Sequence, residues 1–194
     1  MLSKQPLYEH FINGESTQKK ISIHEALSMG PWDAITLQQA SSDSGRPQTY
    51  IPYICELAEF VRESSPEAKI YFHQTWAYET DSDHGGFLHY DRSQKEMFRR
   101  ISDASEMASA LIGAKIIPAG AFIQKIREKI PEFDYEKTGL SLCRDGFHLS
   151  FEYGCLAASL VWANTFFEKK PNADTVPVPA GAKRELVARI IDLL

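Results

Sequence analysis

Between Asp33 and Ile130 the chain alternates short β-prone runs with longer segments striped at helical spacing. Asp33–Gln39, Ala68–Gln74 and Lys115–Pro118 read as strands, each ending in polar residues or proline. Between them, Ile51, Ile54, Leu57, Ala58 and Val61 mark a helix over 50–63, and a second helix is expected over 93–112. Phe122, Ile123, Ile126 and Ile130 mark a third. Strands separated by a whole helix cannot close as hairpins. They join by crossovers into a parallel sheet with helices on its faces, which predicts an α/β fold.

The flanks fit one domain spanning 1–194. Ser22-Ile23-His24-Glu25 has the form of a capping box, and Gly30-Pro31 ends the short helix it opens. The residues before Lys20 are polar, with a turn signal at Asn13-Gly14 and no predicted strand. Tyr153, Leu156, Leu160, Ala163 and Phe167 stripe a late helix. A linker over 171–181 then leads to a final helix carrying Leu186, Val187, Ile190 and Ile191.

Ligands of open parallel sheets bind beyond the carboxyl ends of the strands. Gln38, Gln39, His73, Gln74 and Trp76 fall there. A further focus is Leu142-Cys143-Arg144-Asp145-Gly146-Phe147-His148-Leu149-Ser150, in which an acid and an imidazole stand three residues apart around a glycine. A carboxylate on one ring nitrogen of a histidine fixes its tautomer and leaves the other nitrogen to take a proton. That chemistry is the base half of a hydrolase; the plainer alternative is an Asp-Gly turn before a helix.

Other classes are disfavoured. A net charge of −5 gives no basic footprint for nucleic acid, and no apolar run approaches a bilayer span. Cys55, Cys143 and Cys155 have neither zinc nor disulfide spacing. Asp81, Asp83, His84, His89 and Asp91 crowd one loop, but without the i, i+4 histidine pairing of a zinc helix. With Gly85-Gly86 beside them they read as a solvated, mobile lid, so no metal and no cofactor is expected.

Thr36-Leu37-Gln38-Gln39-Ala40-Ser41, His73-Gln74-Thr75-Trp76-Ala77-Tyr78-Glu79 and Arg144-Asp145-Gly146-Phe147-His148-Leu149-Ser150 together resemble a bacterial branch of the SGNH (GDSL-like) hydrolase superfamily, one grouped as a domain of unknown function. The resemblance spans about Tyr8 to Phe167. It implies a three-layer α/β/α, flavodoxin-like fold and serine-dependent hydrolysis of a small ester or an acylated carbohydrate. Asp145 and His148 match the superfamily's acid–base block. Gln38 or Gln39 stands where the superfamily keeps an oxyanion-hole asparagine, and a glutamine amide offers the same donor.

The departure is the nucleophile. The superfamily carries its serine just after a first strand, and nothing before Asp33 matches that block: Ser3, Ser16, Ser22 and Ser28 follow no β-run. The glycine block that completes the oxyanion hole is also unmatched. The resemblance therefore implies an N-terminally truncated domain of little activity; the alternative is a non-catalytic module that keeps the pocket to hold an acylated or sugar ligand. Ser41, Ser42 and Ser44 are substitutes by position, better read as turn-bonding serines, and Cys143 is better read as a buried thiol. In the superfamily's sheet order, 2-1-3-4-5, the strand ending at Gln39 would pair with that first strand. Without it, this strand is an open edge, inviting a homodimer or a strand-donating partner. Where the protein acts stays open.

Overall fold

The computed structural model describes residues 4–194. Its centre is a three-stranded parallel sheet in the order β3-β4-β5, built from β3 (Ala34–Leu37), β4 (Lys69–His73) and β5 (Lys115–Ile117). In register, Ala34 pairs with Lys69 and Leu37 with Phe72, and Tyr71 with Lys115 and His73 with Ile117. The crossovers are α2 (Tyr53–Ser64) and α3 (Gln94–Ile112). Helices α4 (Ala119–Lys129), α6 (Gly154–Phe167) and α7 (Arg184–Leu193) follow, with a single-turn α5 at Tyr135–Thr138.

Strand parity assigns the two faces. On β4, Ile70 and Phe72 point into a core shared with Leu37, Ala58, Val61, Ala104 and Ala108, the side of α2 and α3. Tyr71 points the other way, against a core of Ile117, Ile123, Ile126, Leu160 and Ile190 from β5, α4, α6 and α7. Two apolar layers with the sheet between them make the three-layer α/β/α arrangement that the family resemblance implies. The outer edge of β3 carries no strand among the described residues.

Three features differ from expectation. The N-terminal segment is a β-hairpin, β1 (Tyr8–Ile12) and β2 (Glu15–Ile21), forming a separate two-stranded sheet. Asn13 and Gly14, with φ of 51° and 83°, form its two-residue loop, a conformation in which asparagine followed by glycine is favoured. The polar sequence of β2 hides the hairpin from any hydrophobic pattern, because most of its residues face solvent. Helix α1 (Ile23–Ser28) does open with the expected capping box: Ser22 Oγ accepts from the Glu25 amide at 3.1 Å, and the Glu25 carboxylate accepts from the Ser22 amide at 2.7 Å.

The second correction concerns the expected solvated lid. Ala77, Tyr78, Phe87 and Tyr90 are buried with Met97 and Ile101 in a third core. Gly86 packs so closely on the 41–43 turn that a Cβ there would stand 2.4 Å from Ser42 Cβ. Aromatic side chains anchor this loop in a core of its own, while Asp81, Asp83, His89 and Asp91 stay exposed as expected of a solvated loop. Third, β3 stops at Leu37, which leaves Gln38 and Gln39 in the loop beyond it.

Candidate functional site

The loop 142–150 is folded back on itself. An isolated bridge joins Cys143 to Leu149, the Arg144 amide donates to the His148 carbonyl at 2.8 Å, and the Ser150 amide donates to the Leu142 carbonyl at 2.8 Å. At its tip Gly146 takes φ of +82°, and a Cβ there would sit 2.9 Å from Ser82 Cα; both the conformation and the close approach call for glycine.

This turn brings Asp145 and His148 together. His148 Nδ1 lies 2.7 Å from Asp145 Oδ2, while Asp145 Oδ1 accepts from the His148 amide at 2.7 Å and the Phe147 amide at 3.2 Å. Partial burial opposes ionisation of Asp145, but the hydrogen bonds from the His148 ring and the two amides outweigh it and hold the carboxyl down at about 2. An ionised carboxylate can only accept, so His148 carries its proton on Nδ1 and Nε2 is left as the acceptor. Both side chains remain open to solvent, His148 at 55% and Asp145 at 41%.

The 75–90 loop holds the turn from the other side. Trp76 Nε1 donates to the Phe147 carbonyl at 2.7 Å, and the Glu79 amide donates to the Gly146 carbonyl at 2.7 Å. Phe147 lies 4.8 Å from the His84 ring and 5.7 Å from Tyr78, and 4.2 Å from His148 itself. Tyr78 in turn shares a 2.8 Å hydrogen bond with Ser41. The segments following β3 and β4 and the 142–150 loop therefore meet in one cluster. From the sequence His84 stands out only as a potential metal ligand, and Tyr78 and Phe147 only as members of longer motifs; the spacing of aromatics through 76–90 was the available signal for the first two.

The remaining expected residues divide. Gln38 is exposed and its side chain makes no hydrogen bond among the described residues, whereas the Gln39 amide donates to the Thr49 carbonyl and hydroxyl at 3.2 and 3.1 Å, and its oxygen accepts from the Ala40 amide. Gln74 is buried and caps α4, its Oε1 accepting from the Ala121 amide at 2.8 Å. His73 is buried on the α6 side of β4, where its Nδ1 accepts from Trp162 Nε1 at 3.0 Å. Burial pushes this imidazole down to about 4. His73 and Gln74 are thus tied into packing and capping, and His73 meets the cluster around His148 edge-on through Trp76, at 6.4 Å between ring centroids.

Of the substitute nucleophiles, Ser41 is bonded to Tyr78, and Ser44 and Cys143 are likewise occupied or buried. Ser44 is buried, donates to the Ala40 carbonyl at 3.0 Å and accepts from Thr75 at 2.7 Å. Burial pushes the Cys143 thiol up to about 12, which leaves it protonated at neutral pH. Among the described residues no hydroxyl or thiol is hydrogen-bonded to His148 Nε2; Ser3 lies outside them. Nor do His, Cys, Asp and Glu side chains gather into a metal-holding group among the described residues. No helix among them is long and apolar enough to cross a membrane.

A three-layer α/β/α fold about a parallel sheet, with a D-x-x-H turn packed against the loop beyond the central strand, is the arrangement of an SGNH-like hydrolase fold. The chain belongs to the family described as a domain of unknown function, DUF4886, whose model matches residues 11–189. A crystal structure of a DUF4886 family protein from Bacteroides uniformis is 33% identical, with a TM-score of 0.82; the match covers 93% of this chain and 68% of that one. The fold is also similar to that of a candidate SGNH hydrolase from Slackia heliotrinireducens, 24% identical over 72% of this chain and 68% of that one, with a TM-score of 0.53. No curated protein matches the chain.

Proposed function

We propose that this chain carries the acid–base half of an SGNH-type ester hydrolase site. Asp145 orients His148, and His148 Nε2 is the base that takes a proton from the attacking oxygen. Gln38 is the oxyanion donor, because the Gln39 amide is already bonded to Thr49. The single observation that carries this reading is the 2.7 Å contact between His148 Nδ1 and Asp145 Oδ2, with Nε2 unpartnered among the described residues.

The substrate is an acyl ester, and a carbohydrate is the leaving group that suits the surroundings. A cleft of about 720 Å³ borders Asp145 and Gly146, and its wall includes Asp81, Ser141, Arg144, Glu152 and Lys183 but not His148 itself. Such a wall offers many donors and acceptors to a hydroxyl-rich group. With no serine on His148 among the described residues, the base has only water to activate, so this chain turns over slowly.

Hydrolysis of 4-nitrophenyl acetate by the purified chain tests this. The expected rate is roughly a hundredfold or more below the ~10 s⁻¹ of an ordinary enzyme, and is lost in His148→Ala. A slow rate that survives His148→Ala would sink the base assignment. Turnover at an ordinary enzyme rate would sink the claim of a missing nucleophile.

A second reading has its own observation, the open outer edge of β3. An extended segment of another chain, or of a second copy, could pair there. A monomer at micromolar concentration by light scattering, unchanged by added cell extract, would count against it.

A further inference from the structure

Glu79 and Arg127 form an ion pair that is almost fully buried, with side-chain exposures of 3% and 5%. Buried pairs seldom stabilise a fold better than apolar side chains of the same size, so their position needs another account. The contacts of this pair run to the first strand of the 142–150 turn and to its tip. Arg127, on α4, donates through Nη1 to the Ala77 carbonyl at 3.0 Å, and through Nη2 to Glu79 Oε2 at 3.3 Å and to Cys143 Sγ at 3.6 Å. Glu79 Oε2 also accepts from Ser141 Oγ, which itself accepts from the Cys143 amide at 2.8 Å. Glu79 Oε1 accepts from Gln94 at 2.6 Å, anchoring the carboxylate to α3. Meanwhile the Glu79 backbone amide holds the Gly146 carbonyl at the tip.

We propose that Glu79 and Arg127 are positioning residues that clamp the acid–base turn onto the 76–82 segment, a proposal that rests on reading Asp145 and His148 as the acid–base pair. The carboxylate grips the stem of the turn through Ser141, the guanidinium reaches Cys143, and the backbone of the same glutamate secures the tip. Asp145 sets the ring tautomer by its own local hydrogen bonds. The clamp sets a different quantity, the placement of the whole turn against Trp76, Tyr78 and His84. Misplacement of a base by an ångström is enough to cost orders of magnitude in rate without loosening substrate binding.

The test replaces the pair by apolar side chains, Glu79→Leu with Arg127→Met, so that no buried charge is stranded. The variant is first required to melt cooperatively. Two readouts follow: the NMR cross-peaks from the Phe147 ring to the His84 and Tyr78 rings, and the His148-dependent hydrolysis of 4-nitrophenyl acetate. The expected result is loss of the cross-peaks and a fall in kcat of about tenfold or more, with KM within about twofold. A folded variant that keeps both the cross-peaks and the rate overturns the proposal, and the local Asp145 turn is then sufficient. Should the double variant fail to fold, Ser141→Ala removes one link only, with weaker cross-peaks expected and an unchanged spectrum overturning the clamp. If the unmodified chain shows no His148-dependent hydrolysis, the esterase reading fails while the cross-peaks still decide the clamp.

Discussion

The end of β4 and the turn at 145–148 each present an imidazole, and the two are chemically opposite. His73 has an N–H donor on Nδ1, from Trp162, in a buried site. His148 has a carboxylate on the same atom, in an open one. The first arrangement leaves the proton on Nε2 and removes the acceptor; the second holds it on Nδ1 and leaves Nε2 free to act as a base. The group facing Nδ1, more than the nearness of a strand end, separates a structural histidine from a candidate base.

The sharpest way to break this comparison is to exchange each ring for an inert side chain. His148→Ala is expected to abolish the slow ester hydrolysis while leaving the melting temperature nearly unchanged, since the ring is solvent-exposed. His73→Ala is expected to leave the slow chemistry in place and to destabilise the fold by about 2–4 kcal/mol in urea titration, from the cavity and the stranded Trp162 N–H.

Next in size is the pair of glutamines. Gln38→Ala should lower the His148-dependent rate by roughly a hundredfold if its amide holds the oxyanion. Gln39→Ala should leave that rate alone and cost about 1 kcal/mol of stability through its lost bonds to Thr49. Equal effects of the two on rate would remove the distinction drawn between them.

The pH dependence of stability separates the two histidine regions again. His73 is held at about 4 in the folded chain against an ordinary 6.5, so the unfolded chain takes up the proton first as pH falls. Its contribution is complete above pH 6.5 and drains away between about 6.5 and 4, by at most about 3 kcal/mol. Asp145 acts in a lower window: its contribution is present above the ordinary 3.8 and lost as pH falls through about 2. Urea titrations at several pH values should show the upper loss vanish in His73→Phe and persist in Asp145→Asn.

Much of the fold was legible because its signals are local. The capping box at Ser22 and Glu25, the helical stripes and the order of strands and helices all lie within one or two turns of chain, and the structure contains them. The D-x-x-H turn was legible for the same reason, since Asp145 reaches His148 across three residues. His73 was not: its role depends on which face of β4 it occupies and on Trp162, 89 positions away. The hairpin escaped because β2 is polar along most of its length, although Asn13-Gly14 marked its turn. The clamp escaped because Glu79 and Arg127 are 48 residues apart. The one hint was an arginine and a glutamine, Arg127 and Gln124, on the buried face of an otherwise apolar helix stripe.

The most direct test of the account is a long-range ¹H–¹⁵N spectrum of the histidine rings at mildly alkaline pH, with His148→Ala and His73→Phe for assignment. The account predicts opposite neutral tautomers in one molecule, the proton on Nδ1 in His148 and on Nε2 in His73. If His148 instead carries its proton on Nε2, its only free nitrogen is a donor, and the base assigned to this site is not there.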